Sequence, residues 1–185
     1  MDDIEERELI KKAQKGDRSA FARLIDVQYD TMFRYAHTYT GNTQDAEDIA
    51  QDAAMKLARS IRSFKFKSKF SSWLYVLVMN TAKDFYKKHN RQPVAVEQAA
   101  LETASQQEHQ EEEQYARQVL DFVHNLPEGE KDALLLVMQE GLNHKEAAKL
   151  LGVKESTISW RIHEARKKLA AKFTDKDKEQ EAHYG

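Results

Sequence analysis

Residues 141–169 read GLNHKEAAKLLGVKESTISWRIHEARKKL and follow the pattern of a helix-turn-helix. Asn143 is a suitable N-cap for a short helix, and Glu146 stands three residues later, as a capping box requires. Gly152 follows that helix at a position that favours a residue tolerant of positive φ. The pattern therefore predicts two helices joined by a tight turn, the second beginning near residue 155.

The second helix of this motif has an apolar face and a polar face. Its apolar residues are spaced as on one side of a helix: Ile158, Ile162, Ala165 and Leu169. The opposite side and its flanks carry polar or aromatic residues: Ser156, Thr157, Ser159, Trp160, His163, Glu164 and Lys167. Such a helix, held by a short partner rich in alanine, is suited to the major groove of DNA. An αα-hairpin that only packs within the protein is the alternative interpretation.

The composition favours a small all-α protein. The chain has 185 residues, with 6 Gly, 2 Pro and no Cys, and it is 41% hydrophobic and 32% charged. The absence of cysteine excludes a disulfide framework and thiolate metal sites. No apolar run approaches the roughly 18 residues of a membrane span, and no basic start with an apolar run indicates a leader. We therefore expect a cytoplasmic protein without membrane insertion.

Charge is unevenly distributed along the chain, although the formal net charge is only −2. Residues 56–91 contain ten Lys or Arg and one acid, and residues 145–172 contain eight bases and three acids. Between these blocks, residues 95–116 contain six Glu and no Lys or Arg. Two basic blocks separated by an acidic stretch suggest two contacts with a polyanion, and two solvated faces are the alternative.

The N-terminal half of the chain predicts a helical bundle. Apolar periodicity predicts helices over about 4–16, 19–39 and 43–61, the last with Thr43 as its cap. The third helix carries a polar row on outer or flanking positions: Asp45, Asp48, Gln51 and Asp52. Residues 64–70 then alternate aromatic and basic residues and are interpreted as a loop, whose cations are Lys65, Lys67 and Lys69.

Another helix is predicted after this loop, from about residue 71 to His89, with an apolar face that includes Leu74, Val78 and Phe85. Tyr75 and Tyr86 are expected to point away from that face. A polar stripe lies beside it, and further bases follow: Asn80, Lys83, Lys87, Lys88 and Arg91.

The composition divides the chain into two domains. Residues 1–92 form the first, and residues 93–114 lack a sustained apolar period and predict a flexible acidic linker. Residues 115–173 form the second domain, which contains the helix-turn-helix, and residues 174–185 form a polar tail. The expected fold class is all-α: two small helical domains joined by a flexible acidic linker.

This arrangement resembles the extracytoplasmic-function (ECF) sigma factors of bacterial RNA polymerase. Three segments carry the resemblance: DAEDIAQDAAMKL at 45–57, FSSWLYVLVMNTAKDFYKK at 70–88, and LPEGEKDALLLVMQEGLNHKEAAKLLGV at 126–153 with the helix after it. The first is similar to the family's core-binding helix, the second to its minus-ten helix and the third to its minus-35 domain.

The resemblance implies a role for each set of residues. Core polymerase would bind the polar row, Asp45, Asp48, Gln51 and Asp52. A melted DNA strand needs cations along its backbone and contacts to its bases. Opened minus-ten DNA would therefore contact the lysines and arginine of the basic block and the Asn80 amide. These residues are Lys65, Lys67, Lys69, Asn80, Lys83, Lys87, Lys88 and Arg91. Duplex minus-35 DNA would contact the final helix: Ser156, Thr157, Ser159, Trp160, His163, Glu164 and Lys167.

The implied activity is initiation of transcription at a stress- or signal-specific gene set. The implied partners are core RNA polymerase, promoter DNA and an anti-sigma factor, with a free protein that is a monomer. Two other classes stay open: an operator-binding regulator with an N-terminal sensor or dimer module, and a decoy that occupies polymerase or an anti-sigma factor. The scattered histidines predict no metal site, and no phosphate loop or nucleophile motif indicates an enzyme or a cofactor.

Overall fold

The computed structural model describes residues 3–89 and 107–183, and every regular element in this part of the chain is helical. The all-α prediction is therefore confirmed. The chain divides into two compact units, the first ending at Glu97 and the second beginning at Gln98. Arg91 and the part of the predicted linker from 93 to 106 lie outside the described residues.

The first unit is built around one long helix. Its elements are α1 (Asp3–Gln14), α2 (Arg18–Thr40), α3 (Thr43–Ser60), a 3-10 turn (Ile61–Ser63) and α4 (Phe70–His89). Because α2 packs against α1, α3 and α4, and α3 also packs against α4, the core lies along α2. Fully buried apolar side chains fill it: Leu24, Met32, Ile49, Leu57, Leu74 and Val78.

Side chains and backbone geometry fix the helix ends in this unit. Gly41 ends α2 in a left-handed conformation with φ 71°, which glycine adopts without steric cost. Asn42, and not Thr43, caps α3, because Asn42 is extended and its side-chain oxygen accepts a hydrogen bond of 2.8 Å from the backbone N–H of Asp45. The predicted cap was therefore wrong by one residue.

Tyr75 and Tyr86 do not point away from the core, which corrects the prediction made from the sequence. Their side chains are only 1% and 6% exposed. The reason is that α4 packs against α2 and α3 together, so its buried arc is wider than a single apolar stripe. The Tyr75 ring meets that of Tyr35 edge-on, with 4.9 Å between the ring centroids.

The second unit contains the helix-turn-helix. Its described elements are α5 (Gln107–His124), α6 (Glu128–Met138), α7 (His144–Leu151) and α8 (Glu155–His183). The first of these begins inside the segment 93–114 assigned to the linker, since Glu and Gln are good helix formers even without an apolar stripe. The last continues to His183, through most of the predicted polar tail.

The core of the second unit lies where α8 packs against α6 and α7. Small and branched side chains fill it: Ala133, Leu136, Ala147, Ile158, Ile162 and Ala165. Glu130 of α6 is also buried, and its carboxylate accepts a hydrogen bond of 2.6 Å from Lys168 of α8. None of the described helices is both long and apolar enough to cross a membrane.

Candidate nucleic-acid and protein interfaces

The outer face of α3, which consists of Asp48, Gln51, Asp52 and Met55, lies on the surface of the first unit. Asp48 and Gln51 are exposed and Asp52 is half-buried, while Ile49, Ala53 and Leu57 on the other side of the helix are fully buried. Met55 stands seven residues after Asp48, two helical turns away, and its side chain is 55% exposed. Met55 does not belong to the row predicted from the sequence, which holds polar residues only, although its spacing places it there.

Asp45, the fourth residue of the predicted row, has a partner inside the unit. It is half-buried, and its carboxylate accepts a hydrogen bond of 3.0 Å from the hydroxyl of Tyr86 on α4. Burial of the phenol, together with the nearby Asp45 charge, raises the pKa of Tyr86 far above its usual range. A neutral Tyr86 therefore holds the start of α3 against the end of α4.

The loop of residues 64–69, here called the lysine loop, has aromatic rings on its inner side and cations on its outer side. Phe64 is 3% exposed, and its ring centroid lies 4.8 Å from that of Phe66 and 5.3 Å from that of Phe70. Trp73 joins this cluster at 5.4 Å from Phe64, so it belongs mainly to the packing of the loop. The alternation in sequence leaves three exposed cations: Lys65, Lys67 and Lys69.

The polar stripe of α4 is a second cationic part of the first unit. Asn80 is exposed beside the buried Thr81 and Met79, Lys83 is half-buried, and Lys87 and Lys88 are exposed in the last turn. Cations in a last turn are favoured by the helix dipole. The lysine loop and this stripe belong to one unit and together present cations and one amide, which are groups suited to a DNA strand.

The turn of the helix-turn-helix forms as the sequence predicts. The side chain of Asn143 accepts a hydrogen bond of 2.9 Å from the backbone N–H of Glu146, whose carboxylate accepts one of 3.0 Å from the N–H of Asn143. Gly152 ends α7 with φ 66°, and α8 begins three residues later at Glu155. This local geometry fixes where the first turns of α8 lie relative to α7.

The side of α8 opposite its buried residues is here called the recognition face, after the duplex-DNA contact that the sequence predicts for it. Trp160 is 59% exposed there and is the largest side chain on this face. The other exposed members are Ser156, Ser159, His163 and Lys167, and two more, Thr157 and Glu164, are half-buried. Every residue predicted to contact duplex DNA thus lies at least partly on the surface of one helix.

His144, which the sequence pattern did not indicate, contacts the recognition face. Its Nδ1 lies 2.9 Å from the hydroxyl of Ser159, which is also 3.2 Å from the backbone oxygen of Glu155. This contact joins residues 15 positions apart, on α7 and α8, so no local pattern could have indicated it. Among the residues that the structure describes, no group of three or more His, Cys, Asp or Glu could hold a metal ion.

Comparison with known proteins gives a match for each unit. The family model for Sigma-70 region 2 matches residues 24–92, and the model for Sigma-70, region 4 matches residues 116–169. The ECF RNA polymerase sigma-E factor of Haemophilus influenzae is 29% identical over 182 residues, covering 92% of this chain and 96% of that protein. SigW, an ECF RNA polymerase sigma factor of Bacillus subtilis, is 28% identical over 186 residues, covering 90% and 95%.

Solved structures share the fold. CnrH, in complex with the cytosolic domain of CnrY, matches with a TM-score of 0.65 and 22% identity, covering 92% of this chain and 98% of that one. The sigma factor RpoE of Bartonella quintana, in complex with the anti-sigma factor NepR, matches with a TM-score of 0.62 and 19% identity, covering 82% and 94%. The order of the two matched regions, the relatives and the fold agree, and the chain belongs to the ECF sigma factors of bacterial RNA polymerase.

Proposed function

We propose that this chain binds core RNA polymerase through the outer face of α3, holds the opened minus-ten strand with the lysine loop and α4, and reads the minus-35 duplex with the recognition face of α8. The observation that carries this proposal is the second cationic surface. A helix-turn-helix regulator needs one DNA surface, whereas here a separate unit presents exposed lysines and an amide beside a packed aromatic cluster. Opening and holding a strand requires such a surface.

We infer that the activity of this chain is regulated by a protein partner. RpoE and CnrH were each solved in complex with another protein, and for RpoE that protein is an anti-sigma factor. We infer that this chain is also restrained by an anti-sigma factor until a signal releases it to a specific gene set. Its partners, polymerase and promoter DNA, place its action in the cytoplasm, where it directs initiation and catalyses no reaction of its own.

The experiment that tests this function is transcription from a random promoter library. The purified chain is added to bacterial core polymerase, the transcripts are sequenced, and core polymerase alone is the control. We expect transcripts enriched for one minus-ten and one minus-35 element at a fixed spacing. Duplex binding by a dimer without polymerase, and no transcripts, would identify an operator-binding regulator. Core binding without transcripts would identify a decoy.

Replacing Asn80 by alanine is expected to relax base preference at one minus-ten position. Asn80 is exposed on the stripe of α4, where its amide has both a donor and an acceptor for a base edge. The loss of one base contact costs about 1–3 kcal/mol. The measurement is library transcription by the variant with core polymerase. Asn125→Ala, which removes an exposed amide from the second unit, is the control, and an effect of Asn80→Ala on minus-35 preference alone would contradict the assignment.

Replacing Lys167 by alanine is expected to weaken minus-35 duplex binding about equally for all sequences. Lys167 is exposed at the edge of the recognition face, a position suited to a phosphate contact. Loss of one such contact reduces the slope of log affinity against log salt by about 1. Binding by the holoenzyme is measured over a series of salt concentrations, with Lys12→Ala on α1 as the control. A sequence-dependent loss with an unchanged salt slope would show that Lys167 reads bases instead.

A further inference from the structure

Gln14 of α1 forms hydrogen bonds at the start of the 3-10 turn and at the residue that follows it, where the lysine loop begins. The Nε2 atom of Gln14 donates hydrogen bonds of 2.8 Å to the backbone oxygen of Ile61 and 2.8 Å to that of Phe64. A primary amide has two N–H groups on this atom, so both are used. Gln14 is half-buried. Its two partners lie 47 and 50 residues later in the sequence, so these hydrogen bonds join distant parts of the chain.

A second side chain of α1 contacts the middle of the lysine loop. Phe66 has φ 55°, a left-handed conformation that is uncommon for a bulky residue and needs support from its surroundings. Two contacts to its ring supply that support. The Phe64 ring centroid lies 4.8 Å away, and the guanidinium carbon of Arg7 lies 4.7 Å from the Phe66 centroid, within range of a cation–π contact.

Arg7 and Gln14 are seven residues apart, close to two helical turns, so they lie on one stripe of α1. The helix is itself held firmly against the rest of the unit. Leu9, Ile10 and Ala13 are buried against it, and two side chains of α2 reach back to it. Gln28 donates a hydrogen bond of 3.0 Å to Glu6, and Arg23 forms an ion pair with Glu5.

We propose that α1 is a brace for promoter opening, in which Arg7 and Gln14 are positioning residues that hold the lysine loop in its DNA-binding conformation. This inference rests on the proposed contact between that loop and the opened minus-ten strand. The helix precedes residue 24, where the match to Sigma-70 region 2 begins, so the brace lies outside the matched region. A loop that already has its bound conformation loses less conformational entropy when it binds the DNA strand. Its affinity for the strand is therefore higher, without any additional contact to DNA.

The test uses two variants of the full chain, bound to core polymerase. Gln14→Glu keeps the shape of the side chain but removes both donors and places a negative charge beside two carbonyl oxygens. Arg7→Ala removes the cation over Phe66. Because Arg7 is exposed, this variant should fold even if Gln14→Glu does not, and it then tests the brace alone. Each holoenzyme is titrated with a single-stranded minus-ten oligonucleotide and with a scrambled one, and opening of duplex promoters is followed by permanganate reactivity of unpaired thymines.

We expect each variant to lower minus-ten strand affinity and open-complex yield by roughly tenfold, the effect of ordering one or two more side chains on binding. Core affinity is expected to stay as in the parent chain in both variants. The thermal midpoint is expected to stay within a few degrees of the parent chain in Arg7→Ala and to fall in Gln14→Glu, which leaves two carbonyl oxygens without their donor. Arg7→Lys should restore opening, because lysine also makes the cation–π contact. Lys12→Ala, which removes a cation from an exposed position on the same helix, should have no effect.

A triple alanine variant at Lys65, Lys67 and Lys69 separates the two possible failures. If this variant loses opening while Gln14→Glu and Arg7→Ala open promoters like the parent chain, the brace is overturned and the proposed function stands. If the triple variant also opens promoters normally, the proposed role of the lysine loop fails, and the brace fails with it. A defect in Gln14→Glu or Arg7→Ala that follows a loss of core affinity would likewise overturn the brace.

Discussion

Reversing charge at Asp48 and Asp52 together is expected to weaken binding to core RNA polymerase by about a hundredfold. Both carboxylates lie on the outer face of α3, four residues apart, where a basic partner surface would meet them. Placing like charges across an interface costs several kcal/mol, and about 2.7 kcal/mol corresponds to a hundredfold change. The measurement is a titration of labelled core polymerase with each form of the chain.

The matched control for this variant is charge reversal at Asp26 and Asp30, an exposed pair with the same spacing on α2. The charge reversals are made as Asp→Lys, and the ammonium introduced by Asp52→Lys would lie one turn from Lys56, which pairs with Asp84 at 2.5 Å. A like-charge pair of this kind costs only about 0.2–0.5 kcal/mol of helix stability, so the isolated chain should stay helical. Equal losses for both double variants, or no loss in either, would exclude the outer face of α3 as the docking surface.

Replacing Ile158 by alanine is expected to destabilise the second unit by about 3 kcal/mol. Ile158 is fully buried in the first turn of α8, and truncating a buried isoleucine leaves a cavity that the surrounding core fills only partly. For a unit of this size the melting midpoint falls by roughly 12–24 °C. Minus-35-dependent transcription should then be lost at temperatures where the first unit is still folded.

Thermal unfolding followed by circular dichroism gives the total loss of helix in the Ile158→Ala variant. Fluorescence of Trp73, measured in a Trp160→Phe background, follows the first unit separately. Lys154→Ala, an exposed change one turn earlier, is the control and should leave the transitions unchanged. A shift of the Trp73 transition as large as that of the second unit would contradict the assignment of Ile158 to a separate core.

The parts of this fold that the sequence predicted are those governed by local rules. The cap at Asn143, the left-handed Gly152 and the buried spacing of Ile158, Ile162 and Ala165 each depend on residues within one or two helical turns. The alternation in the lysine loop is also a local pattern, and in the structure its three lysines are exposed while Phe64 and Phe70 are buried. The division into two helical units followed from composition along the chain.

The contacts that the sequence did not predict all depend on tertiary packing. Gln14 meets a turn 47 residues away, and Lys168 reaches the buried Glu130 across 38 residues. No periodicity can indicate such pairs, because helical patterns show which face is buried but not what covers it. The burial of Tyr75 and Tyr86 has the same origin, since one apolar stripe cannot show that α4 has helices on two sides.

The hydrogen bond from Tyr86 to Asp45 gives the first unit an optical signature in alkali. Because burial and the Asp45 carboxylate raise the pKa of Tyr86 in the folded state, the neutral phenol contributes stability that is fully present below the usual phenol value of about 10 and is lost as pH rises above that value toward the raised pKa. The ultraviolet absorbance of this phenolate should therefore be delayed beyond the ordinary tyrosine range. Its late appearance would mark the moment at which the start of α3 separates from the end of α4.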